Sequence, residues 1–305
     1  MKVVYVSKKY TNEEMEKMKN TFVKESHIDK IFDQDIDVYS KESGRLLLKF
    51  RKKVLREEET NAFYEATYDF TKKAVSGNRG SASGSLNKNV RDNPRVQSAI
   101  LGYFDRWAPK QKLQLKYVSS IPEVRETRFS LENPEKFKET FPLIRSINKE
   151  YKKLLPKYFK AQNKKAKTTL FKIPQTAFTT ITTNVNFQTS IHKDIGDDIE
   201  GFGNLVVIER GNYKGGETCM VQYGIGVNVR QGDILFMDVH EWHGNLPLKL
   251  KNKASVRMSI VCYLRTKLWE RTKKMTMKNK KEHLSKVSKM KNDYKNNKTK
   301  KSFFL

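Results

Sequence analysis

Apolar residues recur along this chain with two different periods. From about Phe171 to Leu264, short β-rich runs alternate with turn signals: "AFTTITTNVNF", "GNLVVIE", "GGETCMVQYG", "IGVNVRQGDILFMD" and "SVRMSIVCYL". Strands spaced this regularly predict an all-β sandwich or barrel. Ahead of them the period is mostly helical. Ala62, Phe63, Ala66, Phe70 and Ala74 fall near one face of a helix in "REEETNAFYEATYDFTKKAV". Phe137, Phe141, Ile144, Ile147, Tyr151 and Leu154 follow at spacings of three or four, which predicts one long helix packed against a sheet. "KVVYV" reads as a short strand and "IDVYSKESGRLLLKF" as two strands around a turn. "TNEEMEKMKNTFVKE" opens with an N-cap and an acidic first turn, so a helix is expected there. The Gly/Ser/Asn-rich "SGNRGSASGSLNKNVRDNP", with Arg79, Lys88 and Arg91, reads as a long functional or mobile loop.

Composition changes this picture in one respect. The 305 residues, 37% hydrophobic and 11% aromatic, suffice for a packed core, but 61 Lys+Arg against 34 Asp+Glu leave a net charge of +27. A field of that sign favours polyanions, most simply nucleic acid, through phosphate contact and counterion release. The plainer reading is a solubility effect or a Lys-rich coding bias. The segment after Leu264 holds 15 basic and 3 acidic residues, so it carries about +12 of the total and reads as a flexible basic arm. Cys219 and Cys262 both sit in apolar runs, which argues for buried small hydrophobes in a reducing compartment and against a disulfide framework or zinc knuckle. No apolar run approaches the roughly 18 residues of a membrane span, and the N-terminal apolar stretch is too short for a secretory signal. The expectation is a soluble intracellular protein with no membrane contact and no obligate protein partner.

The candidate chemistry begins at "TSIHKDIGD". His192 and Asp194 stand two apart, hence on one face of an extended strand. "GDILFMDVHEWHGNLP" adds His240 and His243, and "SVRMSIVCYL" places Arg257 in an otherwise apolar strand with Ser259 on the same face. Two histidines and a carboxylate form the facial triad of non-haem Fe(II) oxygenases. It leaves positions for the 2-oxo-acid end of 2-oxoglutarate and for dioxygen. An arginine is costly to bury unless it meets an anion, and its planar fork suits the far carboxylate of that cosubstrate. Ser259 can add a hydroxyl donor. Of the two distal histidines, His243, fourteen residues before Arg257, is favoured as the ligand. His240 is read as a neighbouring or surface residue, and His27 and His283 as exposed. Phe187, Trp242 and Tyr223 are candidates to stack on a base, each with the alternative of a core position.

The stretch from Phe178 to Arg265, with its "HKD", "GFGNL", "GG", "GD" and "HGN", resembles the TET/JBP family of Fe(II)- and 2-oxoglutarate-dependent dioxygenases. These oxidise the methyl group of pyrimidine bases in nucleic acid. The resemblance implies an α+β fold. Residues 1–170 would form a mixed N-terminal region whose helices pack on the sheet. Residues 171–265 would form a double-stranded β-helix core, jelly-roll or cupin-like, and 266–305 a basic tail. It places His192, Asp194 and His243 on the iron ligands, Arg257 on the arginine that binds 2-oxoglutarate, and Ser259 beside it. Without the cysteine-rich zinc region of animal members, the chain is similar to compact viral, phage or protist forms. The expected substrate is thymine or 5-methylcytosine, in DNA rather than RNA, in a nuclear or other DNA-containing compartment. Two alternatives stand beside it: a hydroxylase or demethylase acting on protein or N-methylated bases, and a non-catalytic basic DNA-binding protein.

Overall fold

The apolar runs assemble into two packed sheets in the computed structural model, which describes residues 2–74, 82–84, 96–106 and 123–288. The strands are β1 Lys2–Val6, β2 Lys30–Phe32, β3 Ile36–Ser40, β4 Leu46–Arg51, β5 Gln97–Phe104, β6 Arg125–Glu126, β7 Thr180–Val185, β8 Gly203–Arg210, β9 Tyr213–Gly215, β10 Thr218–Met220, β11 Ile225–Val227, β12 Ile234–Met237, β13 His243–Asn245, β14 Leu248–Leu250 and β15 Val256–Tyr263. The helices are α1 Asn12–Met18, α2 Glu57–Lys73, α3 Arg128–Glu132, α4 Pro134–Glu139, α5 Phe141–Leu154, α6 Pro156–Ala166 and α7 Thr266–Thr272, followed by α8 over 277–288. The large sheet runs β1-β3-β4-β12-β8-β15-β7-β5-β6 and the small one β13-β10-β11-β2, with β14 and β9 as a separate pair.

Alternate residues of the central strands serve two cores, because successive side chains of a strand leave on opposite faces. Val206 and Ile208 of β8, with Ile234 and Phe236 of β12, pack under a helical layer that contributes Phe63, Ile144, Ile147 and Tyr151. Val207, Leu235 and Met237 pack the other way, against Met220, Ile225 and Val227 of the small sheet. Burial on both faces is why these strands read as continuous apolar runs.

Several expectations are corrected. The long helix is three helices, α4 to α6. Pro142 lies in the first turn of α5 and Pro156 opens α6, and Leu155 between the helices leaves the helical region at φ −134°, ψ 55°. Proline lacks the N–H of the ladder, and Pro156 drives Leu155 out of the helical region, so the apolar period continues while the helix does not. In α2, Ala62 is exposed, and Tyr64, Thr67 and Thr71 are buried instead, so the buried stripe is rotated from the one expected. The large sheet takes β1, β3, β4, β5 and β6 from before residue 170 and β7, β8, β12 and β15 from after it, so both segments build it. The segment 266–288 is not a loose arm. Leu268 of α7 is fully buried with Val124 and Phe171, and His283 of α8 is 5% exposed, its Nε2 2.6 Å from the Val124 carbonyl. Its apolar positions give it a face to bury, which outweighs the charge. His27 is half-buried. Most of the predicted loop 76–94, and residues 289–305, lie outside the described residues. Cys219 and Cys262 are free and buried. No described helix is long and apolar enough to cross a membrane.

Tyr151 ties the helical layer to the sheet. Its hydroxyl accepts the Phe202 N–H at 2.8 Å and donates to Gln162 Oε1 at 3.3 Å, with no solvent exposure. Tyr151→Phe leaves both partners buried and unpaired. The expected cost is about 1–3 kcal/mol, read as a lower urea midpoint at unchanged m-value.

Candidate metal centre and its cavity

His192 and His243 are 51 residues apart in the chain and directly opposite in space. The His192 N–H donates to the His243 carbonyl at 2.9 Å, and the His243 N–H returns to the His192 carbonyl at 3.0 Å. This two-residue antiparallel bridge sets the imidazoles side by side, ring centroids 4.3 Å apart. The Asp194 N–H is held by the Val239 carbonyl at 2.9 Å. Its carboxylate oxygens then lie 3.7 Å from His192 Nε2 and 3.6 Å from His243 Nε2. One ligand atom from each residue falls within 4.8 Å of the others. Three donors each about 2 Å from one ion have that spacing.

The tautomers are set by the backbone. His192 Nδ1 lies 2.7 Å from the Ser190 carbonyl, and His243 Nδ1 lies 2.9 Å from that of Glu241. A carbonyl only accepts, so Nδ1 carries the proton in both rings and each neutral ring presents an Nε2 lone pair to the shared point. Burial disfavours the charged form of His243, but the Asp194 carboxylate beside it outweighs burial and leaves its pKa above the usual histidine value. Protons therefore compete with a metal as pH falls through that raised pKa. Affinity for Mn(II) is expected to drop by up to about tenfold per pH unit below it and to level off above it, measured by calorimetric titration between about pH 5 and 8.

Arg257 and Ser259 of β15 point into the same cavity, of about 830 Å³, as the two histidines and Asp194. Arg257 is 4% exposed, and its buried Nε has no hydrogen-bond partner among the described residues. Burial pulls the guanidinium's pKa below its ordinary value. A buried cationic donor left unpaired is destabilising, and an anion in the cavity would satisfy it. The donor set of two neutral imidazoles and one carboxylate suits a first-row ion such as Fe(II), and the buried guanidinium with its unpartnered Nε suits the far carboxylate of a diacid. The residues present thus fit both groups.

Two contributors were not foreseen. Gly216 (φ +77°) backs Arg257: a Cβ there would lie 2.9 Å from Arg257 Cδ and Nε. The Gly215-Gly216 pair was visible in the sequence but reads as a turn. Asn184 of β7 stands opposite Ser259 and donates from Nδ2 to its Oγ at 3.2 Å. Only the strand pairing reveals that contact. His240 lies outside the triad but lines the cavity, with a buried Nε2 that has no hydrogen-bond partner among the described residues. Among the proposed base platforms, Phe187 lines the cavity, whereas Trp242 and Tyr223 belong to packed cores.

Parts of the chain are similar to known proteins. The Tet_JBP oxygenase domain of the 2OGFeDO superfamily matches residues 117–266. Thymine dioxygenase JBP1 of Trypanosoma brucei brucei is 35% identical over 176 residues, 57% of this chain. Thymine dioxygenase JBP1-A of Trypanosoma cruzi (strain CL Brener) is 32% identical over 189 residues, 61% of this chain. The matched stretches make up 20% and 21% of those longer proteins. The solved structure of NgTET1 in complex with 5mC DNA superposes with a TM-score of 0.50, covering 80% of this chain and 84% of that one. At 15% identity that likeness concerns the fold, and it agrees with the double-stranded β-helix expected from the sequence. A bridged His-Asp-His cluster, a buried arginine on the same cavity wall and this two-sheet frame all agree with the match of residues 117–266 to the TET/JBP oxygenase domain.

Proposed function

We propose that the protein is an Fe(II)- and 2-oxoglutarate-dependent dioxygenase that hydroxylates the methyl group of a pyrimidine base, thymine or 5-methylcytosine, in DNA. The observation that carries this reading is the unpartnered Arg257 Nε on the wall of the cavity that holds the triad. A hydrolytic metal site gives that buried guanidinium no task. In this reading His192, Asp194 and His243 hold the iron, and Arg257, flanked by Ser259, binds the distal carboxylate of 2-oxoglutarate. The bound metal with its cosubstrate and dioxygen supplies the oxidant for the methyl C–H. The chain supplies position: the two carbonyl-anchored imidazoles keep their orientation, Gly216 leaves room for the guanidinium, and Phe187 lies in the wall where a base ring would enter.

The base assignment follows the relatives, which are thymine dioxygenases, and the structural neighbour, which holds 5mC DNA. The excess of positive charge suits a polyanion. A DNA substrate places the work in a DNA-containing compartment. The test is incubation with Fe(II), 2-oxoglutarate and oligonucleotides bearing thymine or 5-methylcytosine, then nucleoside mass spectrometry. A hydroxymethyl product supports the reading. Cosubstrate turnover with no base product, or loss of an N-methyl group instead, sinks it.

The basic residues that can be removed without touching described structure are those after Ser288. Residues 289–305 contain six lysines. Ending the chain after Ser288 spares buried Leu268 and His283, which a cut at Leu264 would remove. The shortened protein is expected to show a shallower salt dependence of DNA binding, by about 0.9 in log–log slope for each phosphate it no longer neutralises. An identical slope would mean those lysines do not touch DNA.

A further inference from the structure

At the mouth of the cavity two large apolar side chains face water. Ile195 is 91% exposed and Ile199 77% exposed, and both line the cavity that contains the triad. Slack in the backbone does not account for this. The loop between them is tied down: the Thr266 N–H donates to the Gly196 carbonyl at 3.1 Å, the Asp198 N–H to the Leu264 carbonyl at 3.0 Å, and Asp197 bridges to Arg265. Lys165 holds the Asp198 carboxylate at 2.5 Å. The backbone is fixed, and the isoleucines project from it. Around them stand the exposed cations Lys193, Lys267 and Arg106, with one exposed acid, Glu270, on the same opening. An apolar tip with cations outnumbering the exposed acid on the opening suits an acidic partner better than a neutral small molecule. It fits a polyanion with an apolar interior, which is what a base-paired duplex is.

The depth of the site gives the tip a task. His192 and His243 are each 8% exposed, so a base still stacked in a duplex cannot reach them and must leave the stack. The step beside it then loses a stacking partner. Apolar side chains such as isoleucine fill such openings in other nucleic-acid complexes. We infer that Ile195 and Ile199 form a wedge that enters the base stack of a DNA duplex next to the nucleotide presented to the cavity. This rests on the reading of the site as one that acts on a base in DNA. It goes beyond that reading in naming two specificity-determining residues that favour duplex over single-stranded substrate.

The test uses the full chain without metal and a duplex carrying 2-aminopurine beside the target base, whose emission rises when stacking is lost. Wild-type protein and Ile195→Leu/Ile199→Leu are expected to raise the emission on binding. Ile195→Ser/Ile199→Ser is expected to bind the duplex with the emission left low. Because neither side chain is buried, the serine variant keeps its melting temperature. With metal and cosubstrate added, its ratio of duplex to single-strand turnover falls by about tenfold or more, as a lost flipping step predicts. The wedge is overturned if the serine variant gives the wild-type emission, if wild type gives no rise, or if the isoleucines instead hold two copies together, seen as a dimer in sedimentation that the serine variant splits. A rise in emission without any oxidised base would retain the wedge and remove the proposed reaction.

Discussion

Each of His192→Ala, Asp194→Ala and His243→Ala is expected to remove 2-oxoglutarate turnover, by far more than the roughly 10–100-fold that loss of an outer hydrogen-bond partner costs a metal site. The three side chains contribute atoms to one point, so any double variant should be no worse than the worst single, as for residues that act as a unit. Succinate release measures the loss, and calorimetry with Mn(II) locates it at binding of the ion. Retention on DNA should survive, since the positive charge lies elsewhere on the chain. Asp194→Ala carries a second signature. His243 loses the carboxylate that raises its pKa and keeps the burial that lowers it, so its titration, followed by NMR, should move down. A variant that released succinate at the wild-type rate would mean the metal is held by other residues.

Arg257→Met should have opposite effects on stability and on function. Without cosubstrate, the wild-type protein carries a guanidinium that is 4% exposed and has an orphaned Nε. Replacing a buried charge by an apolar side chain of similar length is often stabilising, by about 1–4 kcal/mol. The variant should therefore melt higher than the wild type in plain buffer. The wild type should then gain stability as 2-oxoglutarate is added, following RT ln(1 + [L]/Kd), whereas the variant gains little. In kinetics the loss falls first on the KM for 2-oxoglutarate. A variant that melts lower and still responds to the diacid would assign Arg257 a structural role and leave the cosubstrate anchor elsewhere.

Much of this site is legible in the linear chain because its key spacings are local. His192 and Asp194, and likewise Arg257 and Ser259, stand two apart, and a strand puts such pairs on one face wherever it lies. The arginine draws attention because its neighbours are apolar. The helices were less legible. Apolar spacings of three and four persist through Pro142 and Pro156, so the period shows a buried face but not where the rod breaks. The basic segment after Leu264 misleads for the converse reason. Its charge conceals Leu268 and His283, which are buried only because Phe171 and Val124 offer them a surface.

Covalent geometry and strand pleat alone put His192 with Asp194, and Arg257 with Ser259, on shared faces, and that much is legible in the linear chain. The tertiary structure decided which donors meet. The reciprocal hydrogen bonds between His192 and His243 choose that histidine over His240, three residues away. The pairing of β7 with β15 brings Asn184 to Ser259. The ties from Gly196 and Asp198 to residues 264–266 hold Ile195 and Ile199 out at the cavity mouth. All three depend on contacts between distant segments, and those are settled by how two sheets and a helical layer bury their apolar faces together, which no local window of sequence contains.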